Sequence, residues 1–557
     1  MEIISKKLAE IIQKQDELLR KYYDEQLYTR LVEQNREHLL VKLKQELDFT
    51  EMERASRGYH HGGGPGAPPT HTVDKLVRAV LLKRMYGLSL REMEEQLKLN
   101  LLYRWFVGYG LWENTPDHST LQRFEEWMER EAPRMYFDAV LKQIYERYPQ
   151  EREQDQMGDT YGMKANAARQ GRVKMWRKLG KQVEEEIKAA GKEEELAGWD
   201  ETRLYGEKGE KRQWEMSKEE KQERIEKTAL GAQALITRAQ RALEGQESEA
   251  LAYLEKTLAD EVEIEGEQVT VREQKGAYRI RSVTDPEATL RNHGDRDGEP
   301  DLTFGYNVQV AATVNGLITE VQARTGATPD QEGIADLVAQ QQEHHDIVPS
   351  KLIYDAAAGS GKTRHEVAKA GDDKTKTMVS APLPGYANRS KRFGPYDFTL
   401  SADGESLTCP AGKETRISYR SGSGEGRSFR FCWFHCWEEK PPAWMKKADL
   451  SKRCPLWEQC RSKKQGPRKM RQVFVSDYRK EVEAAAAYNQ SEAYKQDRKQ
   501  RPKIERVIAE LTRYNDARHC RKRGLRSADW QAKMSAVAYN LKWWMRRVEA
   551  KNALSPP

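Results

Sequence analysis

The chain has 557 residues, of which 38% are hydrophobic and 33% charged, so one compact fold is not expected and much of the chain should be solvated helix. It contains no run of about 18 uncharged apolar residues, and the opening MEIISKK lacks the basic-then-apolar layout of a signal peptide. These features argue against a membrane or secreted protein and predict a cytoplasmic one.

The net charge of +7 is unevenly distributed along the chain. Residues 451–550 hold 26 Lys and Arg against 11 Asp and Glu, so the remainder is net negative. A basic segment of this size predicts a polyanionic partner.

The amino-terminal residues 1–61 are predicted to form a helical arm. Residues 1–57 lack Gly and Pro and carry apolar pairs separated by charges, such as Leu18/Leu19 and Tyr22/Tyr23, which is the pattern of one or two amphipathic helices. Such an arm can be a solvated hairpin or a dimerisation element, and both interpretations stay open. The Gly- and Pro-rich residues 62–73 then predict a linker.

Residues 74–150 are predicted to form a compact helical domain. Apolar residues recur at helical spacing from Leu76 to Leu82, and capping boxes are predicted at Ser89 with Glu92 and at Ser119 with Gln122. Short capped helices suit a DNA-binding helix-turn-helix-like bundle, although the same caps are compatible with a plain helical packing domain.

The remaining sequence predicts an α/β core with two insertions. The core begins over residues 151–384, interrupted by a Lys- and Glu-rich helical insertion over about 163–262, and ends over residues 481–557 after a cysteine-rich insertion over 385–480. Asn315-Gly316 between β-branched runs predicts a hairpin, and short strands are expected at residues 351–355 and 377–380. A basic helix is predicted over residues 503–514, so strands and helices alternate.

Three acidic residues occupy positions typical of metal ligands. Asp159 ends a short segment before the helical insertion, Asp355 ends a predicted strand, and Glu505 lies early in the basic helix. Carboxylates at element ends are the hard oxygen donors that Mg²⁺ prefers. Taken one at a time, each of these acids is better explained as an ordinary surface charge, because the chain holds 88 Asp and Glu.

Five of the six cysteines are crowded between residues 409 and 460. In a reduced compartment this crowding favours a metal site over disulfides. The predicted zinc ligands are Cys432, Cys436, Cys454 and Cys460, with Cys409 as the spare. Packing as reduced thiols against neighbouring aromatic residues is the alternative.

The octet from Ala356 to Thr363 follows a strand and matches a relaxed P-loop pattern. A phosphate cradle normally begins with Gly, whose backbone lets successive N–H groups converge, and Ala356 takes that place here. The alternative is a loop whose Lys362 or Arg364 contacts DNA phosphate.

Several stretches together resemble the bacterial insertion-sequence DDE transposases. They include Pro116 to Phe124 in the helical region, Asp159-Thr160, Asp285 to Ala288, Phe304 to Gln309, and Ala327 to Asp330. The match continues through Arg501 to Arg506 and through Ala538 to Lys542, so that it runs with gaps from about residue 74 to 547. One departure is that family members commonly carry a Gly-Tyr pair shortly after the second aspartate, where this chain has Ala356 to Thr363.

The resemblance implies an RNase H-like α/β core that carries out DNA transposition. Asp159, Asp355 and Glu505 would be the catalytic residues and would hold two Mg²⁺ ions. Cleavage at the transposon end would free a 3′-hydroxyl that attacks target DNA, and the enzyme would act as a homodimer or larger assembly near the nucleoid. Arg501, Lys503 and Arg506 surround the glutamate helix and are predicted to bind DNA phosphates. A domesticated, non-catalytic DNA-binding protein and a P-loop ATPase are the alternative functions.

Overall fold

The computed structural model describes residues 2–60, 70–207, 209–273, 276–296, 299–371, 375–383, 392–422, 424–437, 453–461 and 469–554. The predicted linker lies largely outside these ranges. No helix of the described residues is long and apolar enough to cross a membrane.

The amino-terminal region is helical, as predicted. Its α-helices are α1 (Glu2–Gln34), α2 (Leu39–Glu46), α3 (Thr50–Ala55), α4 (Val73–Met85), α5 (Leu90–Leu99), α6 (Leu101–Val107), α7 (His118–Glu131) and α8 (Met135–Arg147). The carboxyl-terminal half of α1 is attached to this bundle by two hydrogen bonds, from the Tyr28 hydroxyl to the Tyr109 carbonyl oxygen and from the Leu111 N–H to Asp24. Large apolar side chains of the same helix remain exposed.

One of the two predicted capping boxes forms. Ser89 and Glu92 cap α5 reciprocally, as the sequence predicts. The second prediction is wrong, because Asp117 caps α7 by accepting the Thr120 N–H at 2.7 Å. Ser119 lies inside the helix, and its hydroxyl donates to Asp117.

A mixed β-sheet forms the centre of the molecule. Its strands are β1 (Gln156–Lys164), β4 (Thr289–Arg296), β5 (Glu299–Thr313), β6 (Ile318–Thr325), β7 (Lys351–Ile353) and β8 (Met378–Ser380). The order across the main path is β6, β5, β1, β7, β8, and β4 pairs with the first half of β5. Strand β5 runs antiparallel to β1 and β6, whereas β7 is parallel to both β1 and β8.

The predicted hairpin is confirmed between β5 and β6. Gly316 has a φ of +86°, which glycine adopts without steric cost. The Thr313 N–H donates to the Leu317 carbonyl at 2.8 Å and closes the turn. This hairpin belongs to the same hydrophobic core as the amino-terminal helices, so the helices and the sheet are packed as one body.

The helical insertion has a hydrophobic core of its own. It contains α9 (Arg172–Ala189), α10 (Glu201–Tyr205), α11 (Lys218–Ala242) and α12 (Glu249–Glu261), followed by the hairpin β2 (Val262–Glu265) and β3 (Gln268–Val271). Trp176 is fully buried in that core and Trp199 packs against it. Trp214, by contrast, is 74% exposed.

Two helices flank the parallel strands, and small sheets fill the cysteine-rich region. The helices are α13 (Ile334–His345) and α14 (Gly361–Lys369). The small sheets comprise β9 (Thr399–Leu400), β10 (Leu407–Thr408), β11 (Glu414–Thr415), β12 (Ser418–Arg420), β13 (Gly426–Phe431) and β14 (Arg471–Ser476), with one-turn helices α15 (Trp433–Cys436) and α16 (Trp457–Cys460).

The chain ends in helices that return to the sheet. They are α17 (Arg479–Tyr488), α18 (Glu492–Gln500), α19 (Pro502–Tyr514) and α20 (Leu525–Leu554), and α19 agrees with the predicted basic helix. Asn540 of α20 accepts the Ile318 N–H at 3.0 Å and donates to the Ile318 carbonyl at 2.9 Å. The side chain of Asn540 thereby satisfies the first residue of β6 and fixes α20 on the sheet.

Candidate active site

Two of the predicted acids are positioned by adjacent parallel strands. Asp159 lies within β1, and Asp355 follows β7 by two residues. Gly158 makes the close approach of the two strands possible, because a Cβ at this position would lie 2.3 Å from the ring of the buried Tyr354. The absence of a side chain at Gly158 therefore lets Tyr354 pack on β1 and hold Asp355 beside Asp159.

The third acid, Glu505, is linked to Asp159 by an arginine. Arg501 lies between α18 and α19, and Pro502 then starts α19, where proline is well tolerated. The guanidinium of Arg501 donates to Asp159 at 2.8 Å and also forms an ion pair with Glu505. Arg501 thus joins two carboxylates that are 346 residues apart in the sequence.

Burial and like charges raise the pKa of Asp159. Burial of the carboxyl is the largest cause, and the charges of Asp355 and Glu505 act in the same direction. The Arg501 guanidinium and the N–H of Thr160, which donates to Asp159 at 2.8 Å, lower the pKa only in part. Asp159 is therefore close enough to the other two acids to be affected by their charges.

Asp355 also shapes the loop in which the chain departs from the family pattern. Its carboxylate accepts the Ala357 N–H at 2.9 Å and caps a 3₁₀ turn over Ala356–Gly359. Ser360 then caps α14 by accepting the Thr363 N–H. The loop following β7 is consequently ordered by its own hydroxyl and carboxylate groups.

The same loop lacks the features of a phosphate cradle. Lys362 forms an ion pair with Glu425 at 2.9 Å. A Cβ at Gly361 would lie 2.8 Å from both the Cβ and the carbonyl oxygen of Tyr478, so the backbone there is covered. Arg364 is 7% exposed and donates to the carbonyls of Val379 and Ala381, so it is a structural residue and the predicted contact with DNA phosphate is wrong for Arg364.

A polar group that contacts β1 at Thr160, the residue after Asp159, was not predicted from the sequence. Arg291 of β4 donates to the Thr160 hydroxyl at 2.7 Å and pairs with Asp330 at 3.3 Å. Asn307 of β5 donates to the same Asp330 carboxylate at 2.7 Å. Asn307 and Asp330 both fall in stretches that carried the family resemblance, so the sequence offered a signal for these two residues. It offered none for Arg291.

The three predicted DNA-binding residues differ in their surroundings. Lys503 and Arg506 are exposed on α19, where a phosphate can reach them. The side chain of Arg501 is only 12% exposed, and its charge is compensated by Asp159 and Glu505. Its position is therefore among the acids.

Four cysteines surround one small cavity in the cysteine-rich region, and the set differs by one from that predicted. They are Cys409, Cys436, Cys454 and Cys460, whereas Cys432 is absent from the lining. Cys409, predicted to be the spare, is brought in by a tight turn in which the Lys413 N–H donates to its Sγ at 3.4 Å.

Contacts of the backbone and of one arginine hold this cysteine group together. The Cys454 N–H donates to the Cys436 carbonyl at 2.8 Å, and the Arg461 guanidinium donates to the Cys436 Sγ at 3.3 Å. Burial raises the pKa of both Cys436 and Cys460, whereas Arg461 lowers it at each. Across the described residues, however, no group of three or more His, Cys, Asp or Glu side chains is arranged to hold a metal ion.

Two family models match the chain. Residues 29–127 match the Transposase domain (DUF772), and residues 408–544 match the Transposase DDE domain, which includes the cysteine cavity and Glu505. No curated protein and no solved structure matches. Both matched models describe transposase domains, so the matches support the predicted DNA transposase of the insertion-sequence DDE class.

Proposed function

We propose that this transposase cuts DNA phosphodiester bonds at transposon ends with Asp159, Asp355 and Glu505 and then transfers the freed end to target DNA. The observation that carries the proposal is the way the fold links these acids. Asp159 lies within β1, Asp355 comes two residues after the adjacent parallel strand β7, and Arg501 ties Glu505 to Asp159. The strand order of the sheet supports an RNase H-like core for this region.

The donor set fits hard divalent cations such as Mg²⁺. All three side chains offer carboxylate oxygens, which are the ligands that Mg²⁺ prefers. Burial is the largest cause of the raised pKa of Asp159, the charges of Asp355 and Glu505 add to it, and Arg501 opposes it, so additional positive charge is favourable here. When bound, two such ions would lower the pKa of a water molecule and stabilise the leaving oxygen.

Arg501 and the neighbouring polar residues would prepare this site. Arg501 neutralises two of the carboxylates and keeps Glu505 near Asp159. Arg291 donates a 2.7 Å hydrogen bond to the hydroxyl of Thr160, the residue that follows Asp159 in β1, and so fixes this part of the strand. Lys503 and Arg506, exposed on the glutamate helix, would hold DNA phosphates against this edge of the sheet.

The test measures cleavage of a DNA duplex that contains the sequences flanking the gene for this protein in the element that carries it. Asp159→Asn, Asp355→Asn and Glu505→Gln should each lower the Mg²⁺-dependent cleavage rate about a hundredfold or more. A lost ligand removes several kcal/mol of transition-state stabilisation, and about 1.4 kcal/mol corresponds to a factor of ten. DNA affinity measured in EDTA should change little.

Two acids outside the site provide matched controls. Asp155 directly precedes β1 and pairs with Lys351 at 3.0 Å, and Glu510 lies on the glutamate helix and pairs with Arg546 at 3.2 Å. Asp155→Asn and Glu510→Gln should retain cleavage. Full activity in any of the three site variants would remove that residue from the proposal, and an unmodified protein that binds but never cuts would support a non-catalytic DNA-binding protein.

A zinc ion at the cysteines is a separate proposal, and it rests on four thiols lining one cavity. Thiolates are the ligands of structural zinc sites, and such an ion supplies folding energy in segments with little apolar core. The expected ligands are Cys409, Cys436, Cys454 and Cys460.

Zinc content measured on purified variants tests this ligand set. About one zinc per chain is expected in the unmodified protein, with a clear loss in Cys409→Ser and retention in the matched control Cys432→Ser. A protein without zinc would leave these residues as packed reduced thiols. Loss of zinc in Cys432→Ser with retention in Cys409→Ser would restore the set predicted from sequence.

A further inference from the structure

A cleft of about 600 Å³ opens at the base of the helical insertion, away from the three acids. It is lined by residues from the start of α9, from α11 and from the segment that leads out of the insertion. The segments by which the chain enters and leaves the insertion lie side by side. The Gln170 N–H donates to the Arg281 carbonyl at 2.7 Å, and the Val283 N–H donates to the Gln170 side chain. The cleft is therefore built by the fold of the insertion itself.

Its lining is strongly cationic. Seven Lys and Arg side chains line the cleft, against a single carboxylate, Glu261. Glu261 pairs with Arg172 and Arg279, while Glu210 just outside the lining pairs with Arg177 and Arg224. Among the described residues, the remaining three cations form no ion pair: Lys174, Lys221 and Arg281.

The amino terminus of α9 adds positive potential to the same cleft. This helix has 18 residues, its N-cap Gly171 offers no side-chain acceptor, and no acidic residue lies in its first turn. The backbone from Gly171 to Met175 lines the cleft. Free N–H groups at a helix start, together with the helix dipole, favour an anion.

Two arginines of the lining each carry a buried Nε that has no hydrogen-bond partner. Arg279 is 8% exposed, and its Nε has no hydrogen-bond partner although its terminal nitrogen pairs with Glu261. The Nε of Arg281 is likewise buried and without a partner. Burial, with the charge of Arg279 as the next cause, lowers the pKa of Arg281, so an anion in the cleft would relieve this crowding.

We propose that this cleft binds a phosphate group and that duplex DNA supplies it, with Lys174 and Arg281 as principal contacts. The choice of DNA rests on the proposed function. Gln170 comes eleven positions after Asp159, so the cleft lies within about 40 Å of Asp159. About 12 base pairs of duplex cover that distance, at 3.4 Å per step, and one bound DNA can therefore reach both places.

The experiment measures duplex affinity by fluorescence anisotropy over a range of salt concentrations, in EDTA so that cleavage plays no part. Lys174→Gln combined with Arg281→Gln should flatten the slope of log affinity against log salt by about 2, since each lost phosphate contact contributes about 0.9. The control, Lys188→Gln combined with Lys192→Gln, removes the same charge at the other end of α9 and should leave the slope unchanged. Circular dichroism checks folding, and Lys174→Gln alone, at an exposed position, serves if the double variant is unfolded.

Calorimetric titration with inorganic phosphate separates the two sources of the anion. Phosphate binding that the double variant loses, together with a flattened DNA slope, supports the proposal. Phosphate binding that is lost while the DNA slope is unchanged would overturn DNA as the ligand and leave a site for free phosphate. An unchanged slope without phosphate binding would overturn the site altogether. Because cleavage is not measured, failure here is distinguishable from failure of the three acids.

Discussion

At the scale of single residues, Arg501 has the largest effect on how the candidate site is understood. Its neighbours Lys503 and Arg506 are exposed on α19, where DNA can reach them, whereas Arg501 is paired with Asp159 and Glu505. One cation shared by two of three clustered carboxylates leaves an excess of negative charge. That excess suits a site that acquires metal ions, and it costs stability until they arrive.

The loss of stability caused by this excess negative charge can be measured at Asp159. A carboxyl whose pKa is raised in the folded state contributes stability below its unfolded pKa and loses that contribution as pH rises through the folded pKa. Asp159→Asn removes the charged form, so at pH 7.5 without divalent metal we expect Tm to rise by about 1–3 °C. The gain should vanish below about pH 4, where the wild-type carboxyl is also neutral.

Asp117 provides a control for this pH series, because its pKa is shifted in the opposite direction. Hydrogen bonds, chiefly from the backbone of Thr120, lower the pKa of Asp117 to about 2, so its contribution is present at neutral pH and lost on acidification. Asp117→Ala should therefore destabilise the protein at pH 7.5 by about 1 kcal/mol, the usual value for a lost N-cap. A Tm of Asp159→Asn at or below that of the wild type at pH 7.5 would mean that the Arg501 ion pair outweighs burial and repulsion.

At the scale of secondary-structure elements, the site depends on how closely β1 and β7 approach. Only two residue pairs join these strands, Gln156 with Leu352 and Met157 with Ile353. Directly beyond them, the Tyr354 ring occupies the space that a side chain at position 158 would need. The two aspartates are thus aligned by packing as much as by the β-ladder.

Gly158→Ala tests this alignment. The added methyl group overlaps a ring that is 1% exposed, so we expect a loss of about 1–3 kcal/mol in the free energy of unfolding. The cleavage rate should fall by more than the loss of folded protein explains, because a displaced Tyr354 also displaces Asp355. Gly276→Ala is the control, since a Cβ there meets nothing within 4 Å. Unchanged stability and cleavage in Gly158→Ala would show that the strands can separate without loss of the site.

At the scale of the whole molecule, positive charge is distributed over separate bodies. The carboxyl-terminal third brings a cationic excess to the glutamate helix, and the insertion carries its own cationic cleft with a separate hydrophobic core. A long duplex can meet both, because phosphates repeat along its whole length. Affinity should therefore be shared between distant surfaces.

Neutralising Lys503 and Arg506 should weaken DNA binding by an amount that falls as salt rises. The double change to Gln is expected to flatten the salt slope by about 2, through loss of two phosphate contacts. Adding Arg501→Gln should flatten it no further, since the charge of Arg501 is already compensated. Anisotropy in EDTA measures all three proteins, and a further flattening with the third change would place Arg501 on DNA.

Self-association through α1 stays a prediction at this scale. Leu18 and Leu19 are 68% and 55% exposed on a 33-residue helix, and a dimer interface would cover them. Light scattering of the purified protein should report a dimer or larger species, and Leu18→Glu with Leu19→Glu should shift it to the monomer. Lys14→Glu, a polar change on the same helix, should leave the assembly intact. A monomeric wild-type protein would leave the arm as a solvated helix.

The sequence alone determined the features that depend on neighbouring residues. The Asn315-Gly316 turn, the cap at Ser89 and the helix that starts near Pro502 were predictable because their turn and capping chemistry is local. The family motifs likewise pointed to a DNA transposase before the fold was known. Asp159, Asp355 and Glu505 were found by position and resemblance, and their catalytic role is still a proposal.

Only the tertiary structure decided which distant side chains meet. Arg501 contacts Asp159 across 342 residues, and Cys409 joins the cysteine cavity in place of Cys432 because a tight turn presents its sulfur. Arg364 is buried by carbonyls contributed from beyond its own helix. Such contacts depend on strand order, helix packing and close backbone approach. None of these can be predicted from the residues that neighbour the contact in the sequence.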